Sequence, residues 1–127
     1  MFYFISFVYA KASENSLNSK LNLAWNHIVA DNNWDASRVL YTVDKDRHIC
    51  HIAGVLDGTN ATNTVVFNFG GPDNGIPVPH DLVNLAAYDI TNQSQLFATY
   101  YLSPNNIYYF CLPAGAKYTL NITFAWF

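Results

Sequence analysis

At the end of the chain, Tyr118, Leu120, Ile122, Phe124 and Trp126 occupy every second position, with Thr119, Asn121, Thr123 and Ala125 between them. A side-chain period of two belongs to a strand with one face on a core and the other wet or against a small-residue contact. From Trp34 onward the same grammar repeats. Short runs at 39–43, 48–56, 64–69, 82–90, 96–102 and 106–112 read as strands. They are punctuated by Asp44-Lys45-Asp46, Asp57-Gly58-Thr59-Asn60, the glycine-rich segment from Gly70 to Gly75, and Ser103-Pro104-Asn105-Asn106. Seven or eight short strands at this spacing predict an all-β antiparallel β-sandwich, jelly-roll-like, at 34–127. With 127 residues the chain is expected to be a single domain, with 1–33 as an N-terminal strand and helix.

Residues 1–10 (MFYFISFVYA) are almost wholly apolar, yet they lack the basic region of a secretory signal and span half of the roughly 20 residues that a membrane helix needs. Alternation leaves neither face polar, which predicts a strand covered on both sides, with a short helix or a hydrophobic leader as the alternative. Next, Leu17, Leu21, Ala24 or Trp25, and Ile28 recur at helical spacing after a capping Ser13, so one packing helix is expected over 13–30. Its many Asn and Ser residues weaken it, and the apolar stripe must dock to hold it.

Composition narrows the function. Only 12% of residues are charged, against about 25% in ordinary soluble domains, while 51% are hydrophobic and 17% aromatic. That excludes disorder. Six Lys+Arg against nine Asp+Glu give a net charge of −3 and no basic block, which excludes the electrostatic footprint of a nucleic-acid binder or a polybasic membrane anchor. The chain's 15 Asn, 7 Ser and 8 Thr must carry much of its hydration. Such surfaces suit contact with further copies or with neutral ligands, because amides and hydroxyls lose their water at lower cost than ions.

Little reads as catalysis or metal binding. In a strand His48 and Cys50 share a face while His51 points away, so the run presents at most two ligands where zinc needs three or four. The same divergence rules out a Cys–His nucleophile. Two cysteines, Cys50 and Cys111, are too few for a disulfide framework and read as reduced, buried thiols unless their strands are neighbours. Gly70-Gly71 lacks the Lys-Ser/Thr of a phosphate loop. Asn60, Asn92 and Asn121 head glycosylation-type triplets, but about two are expected by chance. No metal, no cofactor and no enzymatic activity are expected.

What remains is a set of polar and aromatic residues in or beside turns: Trp34, Asp35, Asp57, Asn60, His80, Asp81, Tyr88 and Asp89. Carboxylates, amides and imidazoles exchange hydrogen bonds with sugar hydroxyls while a pyranose face stacks on Trp or Tyr, so the group predicts a saccharide site. Each also has a structural reading. His80 can cap a turn after Pro79, and Trp34 can sit half-buried under the sandwich.

The order of these signals resembles a known family. Ser37-Arg38-Val39-Leu40-Tyr41-Thr42-Val43-Asp44-Lys45-Asp46, followed by Cys50-His51-Ile52-Ala53-Gly54-Val55-Leu56, resembles the opening of the C-terminal head domains of tail fibre and baseplate receptor-binding proteins of phages that infect Gram-positive bacteria. Val65-Val66-Phe67-Asn68-Phe69 with Ile76-Pro77-Val78-Pro79, then Tyr101-Leu102-Ser103-Pro104-Asn105-Asn106-Ile107-Tyr108, and the terminal strand continue the likeness through Phe127. Asn106 stands where that family often has Gly, and 1–33 has no counterpart. The resemblance implies a non-enzymatic host-adhesion head at a virion tail tip or baseplate. It also implies a homotrimer beside other tail proteins, binding a cell-wall saccharide or teichoic-acid-type polymer. The alternative is a structural or assembly component of the tail without a ligand site.

Overall fold

The structure, a computed structural model, describes residues 24–71, 74–80, 85–102, 104 and 107–126. They form nine strands: β1 (Asn26–His27), β2 (Asp35–Asp44), β3 (Ile49–Asp57), β4 (Val65–Phe69), β5 (Ala86–Asp89), β6 (Ser94–Phe97), β7 (Thr99–Leu102), β8 (Tyr108–Cys111) and β9 (Lys117–Ala125). Two antiparallel sheets result, one of six strands in the order β1-β2-β3-β9-β5-β6 and one of three in the order β4-β8-β7. The pairing is nested, β3 with β9 in one sheet and β4 with β8 in the other, so the chain winds as a two-stranded ribbon across both layers. The fold is an all-β sandwich.

The terminal alternation accounts for β9. Tyr118, Leu120, Ile122 and Phe124 are buried while Lys117, Thr119, Asn121, Thr123 and Ala125 are exposed, and the strand lies between β3 and β5 at the middle of the larger sheet. Its Phe124 meets Phe69 of the smaller sheet edge-on, with ring centroids 5.8 Å apart. Phe67 and Phe110 stack at 4.8 Å on the smaller sheet's inner side, and Val39, Ile52, Leu56 and Ile76 complete a core shared by both layers. Each such side chain contributes about 1.5–3 kcal/mol when fully buried. Tyr118, fully buried, donates its hydroxyl proton to the Pro113 carbonyl at 2.6 Å and so leaves no polar atom unpaired there.

Two features depart from the sequence pattern. The run expected as one strand over 96–102 is two, β6 in the larger sheet and β7 in the smaller, joined at Ala98, whose N–H donates to the Leu85 carbonyl at 2.8 Å. Alternation continues through such a corner, so periodicity does not reveal it. The second concerns the helix expected over 13–30. Residues 24–30 are not helical and include β1, with Asn26 opposite Tyr41 and His27 opposite Leu40. Trp25 and Ile28, which helical spacing placed on one stripe, diverge: Ile28 joins the core and Trp25 is exposed beside His51. An Asn-containing run with mediocre helix propensity gains more from the hydrogen bonds offered by the edge of β2. Beyond β1, Val29 donates its N–H to the Asn74 side-chain oxygen at 2.7 Å and accepts from the Asn74 amide at 2.8 Å, as a paired strand residue would. The remainder of that helix, 13–23, and the strand expected at 1–10 lie outside the described residues.

Candidate functional site

The outer face of the larger sheet carries a groove with an apolar and a polar end. The apolar end is a depression of about 440 Å³ lined by Trp25, Arg38, Leu40, Ala53 and Gly54. The polar end is a pocket of about 50 Å³ lined by Asp35, Ser37, Arg38, Val55, Asp57 and Lys117. Arg38 borders both.

A bulge builds the polar end. Asp35 pairs with Asp57 and Arg38 with Val55, so one extra residue of β2 lies between these two rungs. Ala36 turns into the core, and the Ser37 N–H donates to Asp35 Oδ1 at 3.0 Å, which closes the bulge and leaves Arg38 exposed. Asp57 ends β3 and opens the next turn by accepting the Thr59 N–H at 2.9 Å. Lys117, opposite Asp57 on β9, brings Nζ to 4.0 Å from Asp57 Oδ2. Two carboxylates directly opposite one another destabilise a sheet unless compensated. Here the compensation is local. Hydrogen bonds from Ser37 hold the Asp35 carboxyl below its ordinary range, with Arg38 adding to them. Hydrogen bonds from Thr59 do the same for Asp57, assisted by Lys117. Both are therefore ionised at neutral pH.

At the apolar end the Trp25 indole is 51% exposed and stands edge-on to the His51 ring, with centroids 5.8 Å apart. His51 Nδ1 lies 2.6 Å from Thr123 Oγ1, which fixes that imidazole and hence one side of the indole. Ala53 and Gly54 keep the floor low.

The residues expected to form a saccharide site are partly gathered and partly dispersed. Asp35 and Asp57 meet as a cross-strand pair. Asn60 is exposed in the turn that Asp57 opens, and Tyr88, 45% exposed, pairs with Thr119, which pairs with Val55 of the polar pocket. Trp34 does not present a stacking surface. Its ring is 5% exposed, packs 6.1 Å from Tyr118, and its Nε1–H donates to the Asn63 carbonyl at 2.8 Å. Asp89 is also committed: its two oxygens accept the backbone and side-chain N–H groups of Asn92 at 2.9 and 2.8 Å, holding the β5–β6 turn. His80 is exposed near the far end of β9, where its N–H donates to the Ala125 carbonyl at 2.8 Å. Eight residues of strand separate Ala125 from Lys117, or about 26 Å at roughly 3.3 Å per residue. Asp81 lies outside the described residues.

Sequence reasoning missed Trp25, Ser37, Arg38 and Lys117. Helical spacing places Ala24 or Trp25 on a packing stripe, and the other three become neighbours only through register. The His48-Ile49-Cys50-His51 run disperses as well. His48 takes a left-handed backbone (φ 55°) in the hairpin turn and stacks on Trp126 at 4.3 Å, while Cys50 points into the core, where burial pushes its thiol up to about 12. Cys50 and Cys111 stand on different sheets and are not joined by a disulfide.

The carboxylates also set an acid limit. Asp35, Asp44, Asp57 and Asp89 are all held below the ordinary value of 3.8, each chiefly by hydrogen bonds from the turn or bulge it closes. A carboxyl with a lower pKa folded than unfolded stabilises the fold above the unfolded pKa, and that contribution is lost as pH falls through the folded value. The urea midpoint is thus expected to stay level from neutrality to about pH 5 and to drop below about pH 4. A midpoint unchanged down to pH 3 would contradict these assignments.

In comparisons with known proteins, no family model, no curated protein and no solved structure matches this chain.

Proposed function

We propose that the protein is a non-enzymatic adhesion head that binds a bacterial cell-surface saccharide, in the manner of the phage tail fibre and baseplate heads that its sequence resembles. The observation that carries this reading is the groove in which Arg38 joins an exposed indole to a carboxylate-lined pocket. A pyranose has an apolar C–H face and a rim of hydroxyls, and it needs both kinds of surface within one ring's width. Trp25 and Leu40 supply the first. Asp35 and Asp57 accept hydroxyl protons, while Arg38 and Lys117 donate to ring and hydroxyl oxygens. Tyr88 lies further along the same face, two strand spacings of about 4.8 Å beyond β3, within reach of the next sugar of a polymer. On a virion tail such heads work together, as a homotrimer in this reading, because several weak sites on one surface multiply in avidity. Low charge and the exposed Val29, Ile49 and Ile90 side chains suit packing against further copies or tail proteins.

The test is binding of the purified chain to fractionated cell-wall polysaccharides. Trp25→Ala and Arg38→Ala are each expected to weaken binding about tenfold or more, near 1.4 kcal/mol, with the melting temperature unchanged because both side chains are exposed. Binding that both variants retain in full would remove the groove from the mechanism. An oligomer that binds no fraction at all would instead indicate a tail assembly component.

A further inference from the structure

A second cavity, of about 300 Å³, opens where β1 and β2 meet the loop at Gly75, lined by Ala24, Asn26, Tyr41, Val43, Lys45 and Gly75. It shares no lining residue with the groove, and Tyr41 and Val43 leave β2 on the side opposite Leu40. Its chemistry is one-sided. Tyr41 is only 7% exposed, and its hydroxyl oxygen accepts the Gly75 N–H at 3.0 Å. That bond uses a lone pair and leaves the phenolic proton, for which no acceptor is present among the described residues. Facing the cavity, that proton is available to the acceptor of a bound molecule.

Lys45 has a similar surplus. Among the described residues neither ion pair involves it: Asp44 is taken by Arg47, and Asp57 by Lys117. Among the described residues the Asn26 amide reaches only the Ala24 carbonyl, at a long 3.5 Å. Among the described residues no carboxylate lines the cavity, and its wall offers an ammonium, a phenolic proton and an amide, with the methyl groups of Ala24 and Val43 alongside. The wall is held in place. Asn74 clamps Val29 through two hydrogen bonds, which fixes the loop that presents Gly75 to Tyr41.

We propose that this cavity binds a small polyhydroxylated anion through a single oxyanion group, carboxylate or phosphate, seated between Lys45 Nζ and the Tyr41 hydroxyl. Among the described residues the wall holds one cation and no anion, which favours negative charge, the hydroxyl and amide supply two further donors, and the volume sits at the lower end of ligand pockets, suited to one sugar or a short polyol. The site is independent of the saccharide groove.

Titration of the full chain with D-glucuronate, glycerol 3-phosphate and neutral glucose, followed by the Gly75 amide resonance, tests it. A saturable shift is expected with at least one of the two anions and not with glucose at equal concentration. A response to one anion alone identifies the oxyanion, and a response to both assigns the site to either. Lys45→Gln is expected to weaken the response tenfold or more and Lys45→Arg to keep it within about threefold, with folding intact because Lys45 is exposed. Arg38→Ala is expected to leave it unchanged. No saturable shift with either anion, an equal shift with glucose, or an undiminished response in Lys45→Gln would overturn the proposal.

Discussion

Gly54→Ala is expected to lower stability by about 3 kcal/mol or more in urea denaturation, a large fraction of the roughly 5–15 kcal/mol available to a domain. Gly54 lies mid-strand in β3, paired with Val39 on one side and Leu120 on the other, with φ at 138°. That backbone conformation alone costs a residue with a Cβ about 1–3 kcal/mol. The Cβ would also fall onto the Arg38 carbonyl oxygen and within 2.8 Å of the Val39 Cα, both backbone atoms that no rotamer change can move. Gly115→Ala separates the two effects. Gly115 has φ at 97° but open space around it, so its alanine variant should show the conformational cost alone, about 1 kcal/mol. Equal losses at the two positions would remove the close approach of β2 and β3 as the reason for glycine at 54. The same approach shapes the candidate groove, because Gly54 lines the depression with Trp25 and Leu40.

What the sequence made legible follows from the range of each interaction. A strand's face is encoded in its own residues, and β9 alternates as its side chains require. Turns that side chains close locally were legible too. Asp44 accepts the N–H groups of Asp46 and Arg47, and Asp57 that of Thr59, all within three residues. Register is not local. Nothing near Asp35 indicates that a bulge will set it against Asp57 or that Lys117, sixty residues later, completes the pair. The sequence therefore picks out Asp35 and Asp57, which the fold sets side by side, and not the cations beside them. Residue type misled where burial decided the outcome: an indole beside an aspartate reads equally well as an exposed stacking face or a core pillar, and Trp34 is buried while Trp25 is exposed. The helical stripe around Trp25 failed for a related reason, since β2 offers an open edge that only tertiary structure reveals.

Trp34 makes that contrast measurable. Its indole lies between Tyr118 and Gly58, so close to Gly58 that a Cβ there would fall on the ring, and Nε1 reaches the Asn63 carbonyl across the connection between β3 and β4. Trp34→Ala would leave a cavity beneath that connection and a part-buried carbonyl without its donor. The expected loss is about 3–5 kcal/mol, comparable to other large aromatic deletions. Trp34→Phe keeps most of the packing and removes the indole N–H, for about 1 kcal/mol. Saccharide binding by the phenylalanine variant should match that of the unaltered protein, since the ring touches no part of the groove, whereas Trp25→Ala should show the opposite pattern of intact stability and weakened binding. If Trp34→Ala kept its urea midpoint and lost binding, the two tryptophans would have to be reassigned, and the groove would give way to the connection around Asn60 as the place where sugar docks.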